Sequence, residues 1–258
     1  MIIASKGTFS TPLYWEMLDN NGGNSNAHQR INLLQKCIDL LGVSNIGLLL
    51  GNREFIGGKW LTYLKINKIP FCVRVPKSHL IEKVDAQILH AETIWQKHKN
   101  KADKTYYTHC LVDGVWGNVM IGTDAKSKLL YLFGTATSTL LEQLYKRRWT
   151  IETMFEAFKS RGFNLEMTHI TINERLKKLV AIVSMAFTFA ISLGQFRHNN
   201  QKKIITKPHG RKAKNFFRSG LDFIRDGFKI GYKYRTEWLN QFKEFIEYIF
   251  INNVASGT

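Results

Sequence analysis

The chain has 258 residues, 44% of them hydrophobic, the composition of a globular protein with one large domain or one domain with appendages. Its 37 Lys and Arg against 20 Asp and Glu leave a formal net charge of +17, which points to a polyanionic partner, most simply nucleic acid. Cys37, Cys72 and Cys110 form neither a CxxC pair nor an even disulfide set, no signal peptide is visible, and the longest apolar run, Leu179 to Leu193, is short for a membrane span; a cytoplasmic protein with buried thiols and no membrane partner is expected.

Ile2-Ile3-Ala4 and Pro12 to Glu16 read as two short strands, broken at Ser5-Lys6-Gly7. Asp19 to Asn26 is a polar, Gly-rich loop. Ala27 to Leu41 is an amphipathic helix with Ile31, Leu34, Cys37, Ile38 and Leu41 on one face and Gly42 beyond its end. Ile46 to Leu50 is a short buried strand that runs into Gly51-Asn52-Arg53-Glu54-Phe55. Gly58 to Ile66 is a second helix and Pro70 to Val75 another core strand, an alternation that implies an α/β sheet. Ser78 to Lys104 is polar and mixed. Thr105 to Val112, Val115 to Thr123 and Leu129 to Thr135 read as strands, with Asp113-Gly114 as a two-residue hairpin and Asp124-Ala-Lys-Ser as the next turn. In that hairpin Trp116 is a packed aromatic, or less readily a platform for an extruded base.

A helix is expected from Ser138 or Thr139 to Gly162, others over 173 to 196 and 238 to 251, and an amphipathic one around Phe216 to Ile224. Residues 201 to 235 hold eleven Lys or Arg against two Asp, interleaved with Phe216, Phe217, Phe223, Phe228, Tyr232 and Tyr234. That mixture suits a surface that tracks a nucleic-acid backbone, and suits a solvated amphipathic helix about as well. The eight histidines show no metal-ligand spacing.

Within residues 138 to 162 two stripes stand out. Leu140, Leu144, Ile151, Phe155 and Phe158 fall within roughly a 60° arc of a helix, and Tyr145, Arg148, Glu152 and Lys159 within a second arc beside it. Taken alone, Arg148 and Glu152 at i, i+4 are also an ordinary helix pair worth about 0.2–0.5 kcal/mol. The whole pattern, Y-x2-R-x3-E-x6-K, resembles the signature of DDE transposases of the insertion-sequence 4 type. Tyr14-Trp15-Glu16-Met17-Leu18 through Arg30, Leu48 to Phe55 with Gly58-Lys59-Trp60, and His209-Gly210-Arg211-Lys212-Ala213-Lys214 resemble other parts of the same family.

The resemblance implies a ribonuclease H-like α/β fold: a first part of the core at 1–76, a β-strand insertion at 77–137, a second part of the core with the Glu-bearing helix at 138–200, and a basic helical tail at 201–258. It implies double-stranded DNA at transposon ends as partner, with Tyr145, Arg148, Lys159, Arg211, Lys212 and Lys214 as DNA contacts, and a homodimer on paired ends. It also implies catalysis through Mg²⁺ held by two Asp and one Glu, because two dications close together need clustered carboxylates. Glu152 occupies the Glu position. Asn52 stands where the family has its second Asp, and the strand carrying the first would precede Met1. A fold lacking its first strand, and a truncated, catalytically defective transposase, are therefore expected. The other readings are a non-catalytic remnant that binds ends or interferes with an intact enzyme, an interrupted gene completed by an upstream frame, and a product that does not fold.

Overall fold

The computed structural model describes residues 1–6, 9–17, 25–100, 103–124, 127–208, 210 and 212–255. Most of the polar loop expected before Asn26, Ala125 and Lys126 of the later turn, and Arg211 lie outside the described residues. The chain forms two compact units: Met1–Ile3 with Leu13–Thr150, and Ala4–Pro12 with Ile151–Thr258. The opening strands β1 (Ile2–Lys6) and β2 (Phe9–Tyr14) pair as a two-stranded sheet whose residues are divided between the units.

In the first unit, α1 (Ala27–Leu41) starts with a reciprocal cap: Asn26 Oδ1 accepts the Gln29 N–H and Gln29 Oε1 accepts the Asn26 N–H, both at 2.9 Å. Leu34 and Cys37 of its apolar face are buried, and Ile31 and Ile38 pack beside them, while Leu41 is exposed. Helix α2 (Gly58–Ile66) and strand β4 (Phe71–Arg74) fall where expected, and strand β3 (Leu49–Gly51) is shorter and later than the expected Ile46–Leu50 strand. β3 and β4 are parallel, with Leu49 opposite Phe71 and Gly51 opposite Val73.

The stretch that showed no period in the sequence supplies β5 (Leu80–Glu82), β6 (Ile88–His90) and α3 (Ala91–His98). Three-residue strands are too short to display alternation, which is why they were invisible. β7 (Lys104–Val112), β8 (Val115–Thr123) and β9 (Leu129–Gly134) match the three expected strands within a residue. Asp113 (φ 51°) and Gly114 (φ 77°) both take the left-handed backbone that a tight two-residue hairpin requires.

All seven strands from β3 onward make one sheet, in the order β3-β4-β9-β8-β7-β5-β6, antiparallel except for β3 with β4. The strands of residues 77–137 thus continue the sheet of β3 and β4, with β9 alongside β4 and Cys72 opposite Gly134. Alternation sorts the side chains between the two faces. Phe71, Val73, Val119, Ile121, Tyr131 and Phe133 join the larger core with Leu34, Trp60, Leu61 and Ile94. Cys72, Met120, Leu130 and Leu132 form a second, smaller core with Leu141. Burial on both faces explains why these strands read as near-continuous apolar runs. All three cysteines are buried free thiols.

The expected continuous helix from 138 to 162 is broken. A short 3₁₀ turn, Ser138–Leu140, leads into α4 (Leu141–Lys146); α5 (Trp149–Glu156) follows after a two-residue interruption and ends in a π turn, Ala157–Arg161. At the interruption the Arg147 and Arg148 N–H groups bond to the carbonyls three residues back, Leu144 and Tyr145, at 3.1 and 3.0 Å. The Thr150 hydroxyl takes the Arg147 carbonyl at 3.0 Å. A side-chain hydroxyl competing for a backbone acceptor is the local alternative to helix propagation, and a hydrophobic pattern does not register it.

The second unit is helical beyond this point. α6 (Asn173–Asn200), α7 (Phe216–Lys229) and α8 (Tyr232–Ala255) extend the expected helices at one or both ends. By length and composition α6 is apolar enough to cross a membrane, and half of its apolar window is buried inside the protein. It crosses α7 closely at two glycines: a Cβ on Gly220 would sit 1.9 Å from the Ala190 carbonyl oxygen, and one on Gly194 1.9 Å from that of Phe216. Phe245 of α8 is fully buried, its ring 5.3 and 5.5 Å from those of Phe189 and Phe196.

Candidate nucleic-acid interface

Tyr145 closes α4 with its ring against the Cys72–Leu141 core. The tight turn after it swings Arg148 back onto that ring: Arg148 Nε donates to the Tyr145 hydroxyl at 3.3 Å, and the guanidinium carbon lies 5.7 Å from the ring centroid. The phenol holds the fork in place, as a phosphate contact requires. Glu152 lies exposed on α5, and Lys159, on the π turn, pairs with Glu166 at 3.5 Å in a largely exposed contact. Such a contact is worth about 0–1 kcal/mol and leaves the lysine available to a stronger anion. The helix is interrupted at Arg147 and Arg148, between Tyr145 and Glu152, so the four residues do not lie on one continuous helix. Tyr145 and Arg148 group with the first unit, Glu152 and Lys159 with the second.

Asn52 directly follows β3, half-buried, at the cap position of the turn Arg53–Phe55. Its carbonyl accepts the Phe55 N–H at 2.8 Å, and its side chain makes no capping bond. It too belongs to the first unit.

The basic residues ahead of α7 form a small looped structure in the second unit. Thr206 and Lys212 make an isolated antiparallel bridge, and the Ala213 N–H bonds the Ile205 carbonyl at 2.8 Å. Lys212 Nζ stands 4.0 Å over the Phe216 ring. Lys214 and Arg218 share one carboxylate, Asp222, at 2.6 and 2.8 Å. Asn215 caps α7 by accepting the Arg218 N–H at 2.8 Å. Beside the cap lies a cleft of about 390 Å³ lined by Lys214, Asn215, Arg218 and Arg225, with Ser160 and one carboxylate, Glu156, among its other residues. Cations around a helix start suit an anionic ligand, since the first-turn N–H groups add partial positive charge. The sequence reading included Lys212 and Lys214 and missed Asn215, Arg218 and Arg225. Asn before Phe216-Phe217 is an N-cap signal, and Arg218 and Arg225, two turns apart, share a helix face; both cues were legible.

The first unit is a mixed-sheet α/β structure and the second is helical, basic and rich in aromatic residues, a composition that suits a polyanionic partner. Residues 12–189 match the family model described as Transposase DDE domain, well over half of the chain, and the chain belongs to that family. No curated protein matches it. Membership gives the chain a transposase-family role, with DNA as the partner that role entails.

The family generally uses divalent metal ions. Among the described residues no group of three or more His, Cys, Asp or Glu is arranged to hold a metal.

Proposed function

We propose that this chain is a transposase of the insertion-sequence 4 type that holds transposon-end DNA but cuts it poorly or not at all. Asn52 carries the reading. It follows β3 in the context Gly-Asn-Arg-Glu-Phe, where the resemblance calls for an Asp, and an amide there cannot neutralise a dication. DNA binding is supported by the net charge, by the Arg148 guanidinium held on Tyr145, and by the basic loop ahead of α7. Tyr145, Arg148, Lys159, Lys212 and Lys214 then act as phosphate contacts, and Glu152 is the remaining acidic ligand, with Mg²⁺ the ion it was suited to. The ribonuclease H-like arrangement and a homodimer on paired ends belong to the same reading.

The test is incubation of the purified chain with labelled transposon-end DNA in Mg²⁺ or Mn²⁺. Salt-sensitive binding without nicking is expected; robust nicking overturns the proposed defect. Asn52→Asp alone is expected to leave the chain inactive, because among the described residues no group of three or more His, Cys, Asp or Glu is arranged to hold a metal. Restoration by that single change would show that another carboxylate completes the triad.

A further inference from the structure

The His198 imidazole sits among hydrogen-bond donors. Its Nδ1 faces the Ile204 backbone N–H at 2.8 Å, and its Nε2 faces the Lys212 ammonium at 3.1 Å. The ammonium is steadied over the Phe216 ring, which also packs on the imidazole at 5.5 Å between centroids. Burial first, then the charges of Lys212 and Lys203, lower the His198 pKa, so the ring is neutral at neutral pH. A neutral imidazole has one N–H and one lone pair. With its proton on Nδ1 the ring opposes the Ile204 N–H; with the proton on Nε2 it opposes Lys212; the cation opposes both. Every protonation state leaves a donor facing a donor.

The backbone N–H is the donor that cannot turn away. Nδ1 therefore accepts from Ile204, and Nε2–H points at the ammonium. An acceptor oxygen shared by both groups resolves the conflict. The loop itself supplies no anion: residues 201–215 contain Lys202, Lys203, Lys207, Lys212 and Lys214 and no Asp or Glu. A water oxygen accepts from both donors, and a phosphate oxygen accepts from both and also neutralises the ammonium.

We infer that His198 Nε2–H and Lys212 Nζ grip one phosphate oxygen together, and that this oxygen belongs to a phosphodiester of the DNA backbone. The inference rests on the DNA-binding reading above and adds to it a neutral donor that net charge does not reveal. His198 lies near the end of α6 and Lys212 in the loop, so the grip also ties the loop to the helix.

Two substitutions separate the parts. His198→Asn keeps an oxygen where Nδ1 was, so the Ile204 N–H stays bonded, but it removes the Nε2–H. Lys212→Gln removes the charge. Binding of a linear duplex of random sequence is measured across a range of salt, and thermal unfolding checks that each variant is folded. His198→Asn is expected to bind about tenfold more weakly with an unchanged salt slope, because a neutral donor displaces no counterion. Lys212→Gln is expected to lower the slope by about one. In ¹⁵N spectra of the wild-type chain, inorganic phosphate at constant ionic strength is expected to shift the His198 Nε2–H signal saturably. Wild-type affinity in folded His198→Asn, or no shift with either phosphate or DNA, overturns the grip. A phosphate-induced shift in a chain that binds no duplex sustains the grip, makes free phosphate its source, and refutes the DNA reading instead.

Discussion

Glu142 shows what a single side chain does for the first unit. It is 9% exposed and takes Lys104 at 2.5 Å and Lys146 at 2.8 Å. Burial pushes its carboxyl up, but the hydrogen bonds and charges of the two lysines outweigh burial and hold its pKa below the ordinary 4.5. A depressed folded-state value contributes stability that is present above the unfolded pKa and is lost as pH falls through the folded one. Glu142→Gln is therefore expected to cost about 1–3 kcal/mol at pH 7 and progressively less as the medium is acidified below pH 4.5. Urea denaturation of both proteins at several pH values checks this; an equal cost at all pH values would contradict it. Lys146, four residues on, is a local partner, but Lys104 could not be read from the sequence, because it lies far from Glu142 in the chain and only the tertiary fold brings them together. Asn52 is the opposite case: its identity against an expected Asp was plain in the sequence, and the structure adds its cap position after β3.

At the scale of elements, two features of the second unit invite substitution. Gly194 and Gly220 let α6 and α7 approach until a side chain on either would strike the other helix's backbone. Backbone cannot move aside as a flexible side chain can, so Gly220→Ala is expected to destabilise the unit by about 1–3 kcal/mol or more, read as a lowered thermal midpoint with helical circular dichroism retained at low temperature. Asp222 holds Lys214 and Arg218 in ion pairs. Asp222→Asn frees both cations and removes a repelling charge, so duplex affinity at moderate salt is expected to rise several-fold; unchanged affinity would place these two side chains off the DNA path. The helices were legible from periodicity and caps, since Asn26, Asn215 and the apolar stripes are local signals. The break at Arg147–Arg148 was not, because it depends on which of two local hydrogen-bond partners takes a carbonyl, and both are compatible with the same apolar pattern.

For the molecule as a whole, the charge of +17 sets the expected behaviour with DNA. If six to ten phosphates are neutralised, duplex affinity is expected to fall by about 10³–10⁵ between 50 and 200 mM salt, with a linear log–log dependence. Fluorescence anisotropy against salt measures it, and a flat dependence would sink the phosphate-contact reading for Arg148, Lys159 and the basic loop alike.

The sequence by itself determined the α/β class, the three long strands, the positions of α1, α2, α6, α7 and α8, the basic aromatic tail and the transposase resemblance. Each of these is written in neighbouring residues, in periods of two or 3.6 and in spaced motifs. Only the tertiary structure decided that the strands of residues 77–137 share a sheet with β3 and β4, that the motif helix is interrupted, and that His198 meets Lys212. Those outcomes depend on hydrogen bonds and packing between residues distant in the chain, or on competition between equally local partners. A linear pattern carries neither.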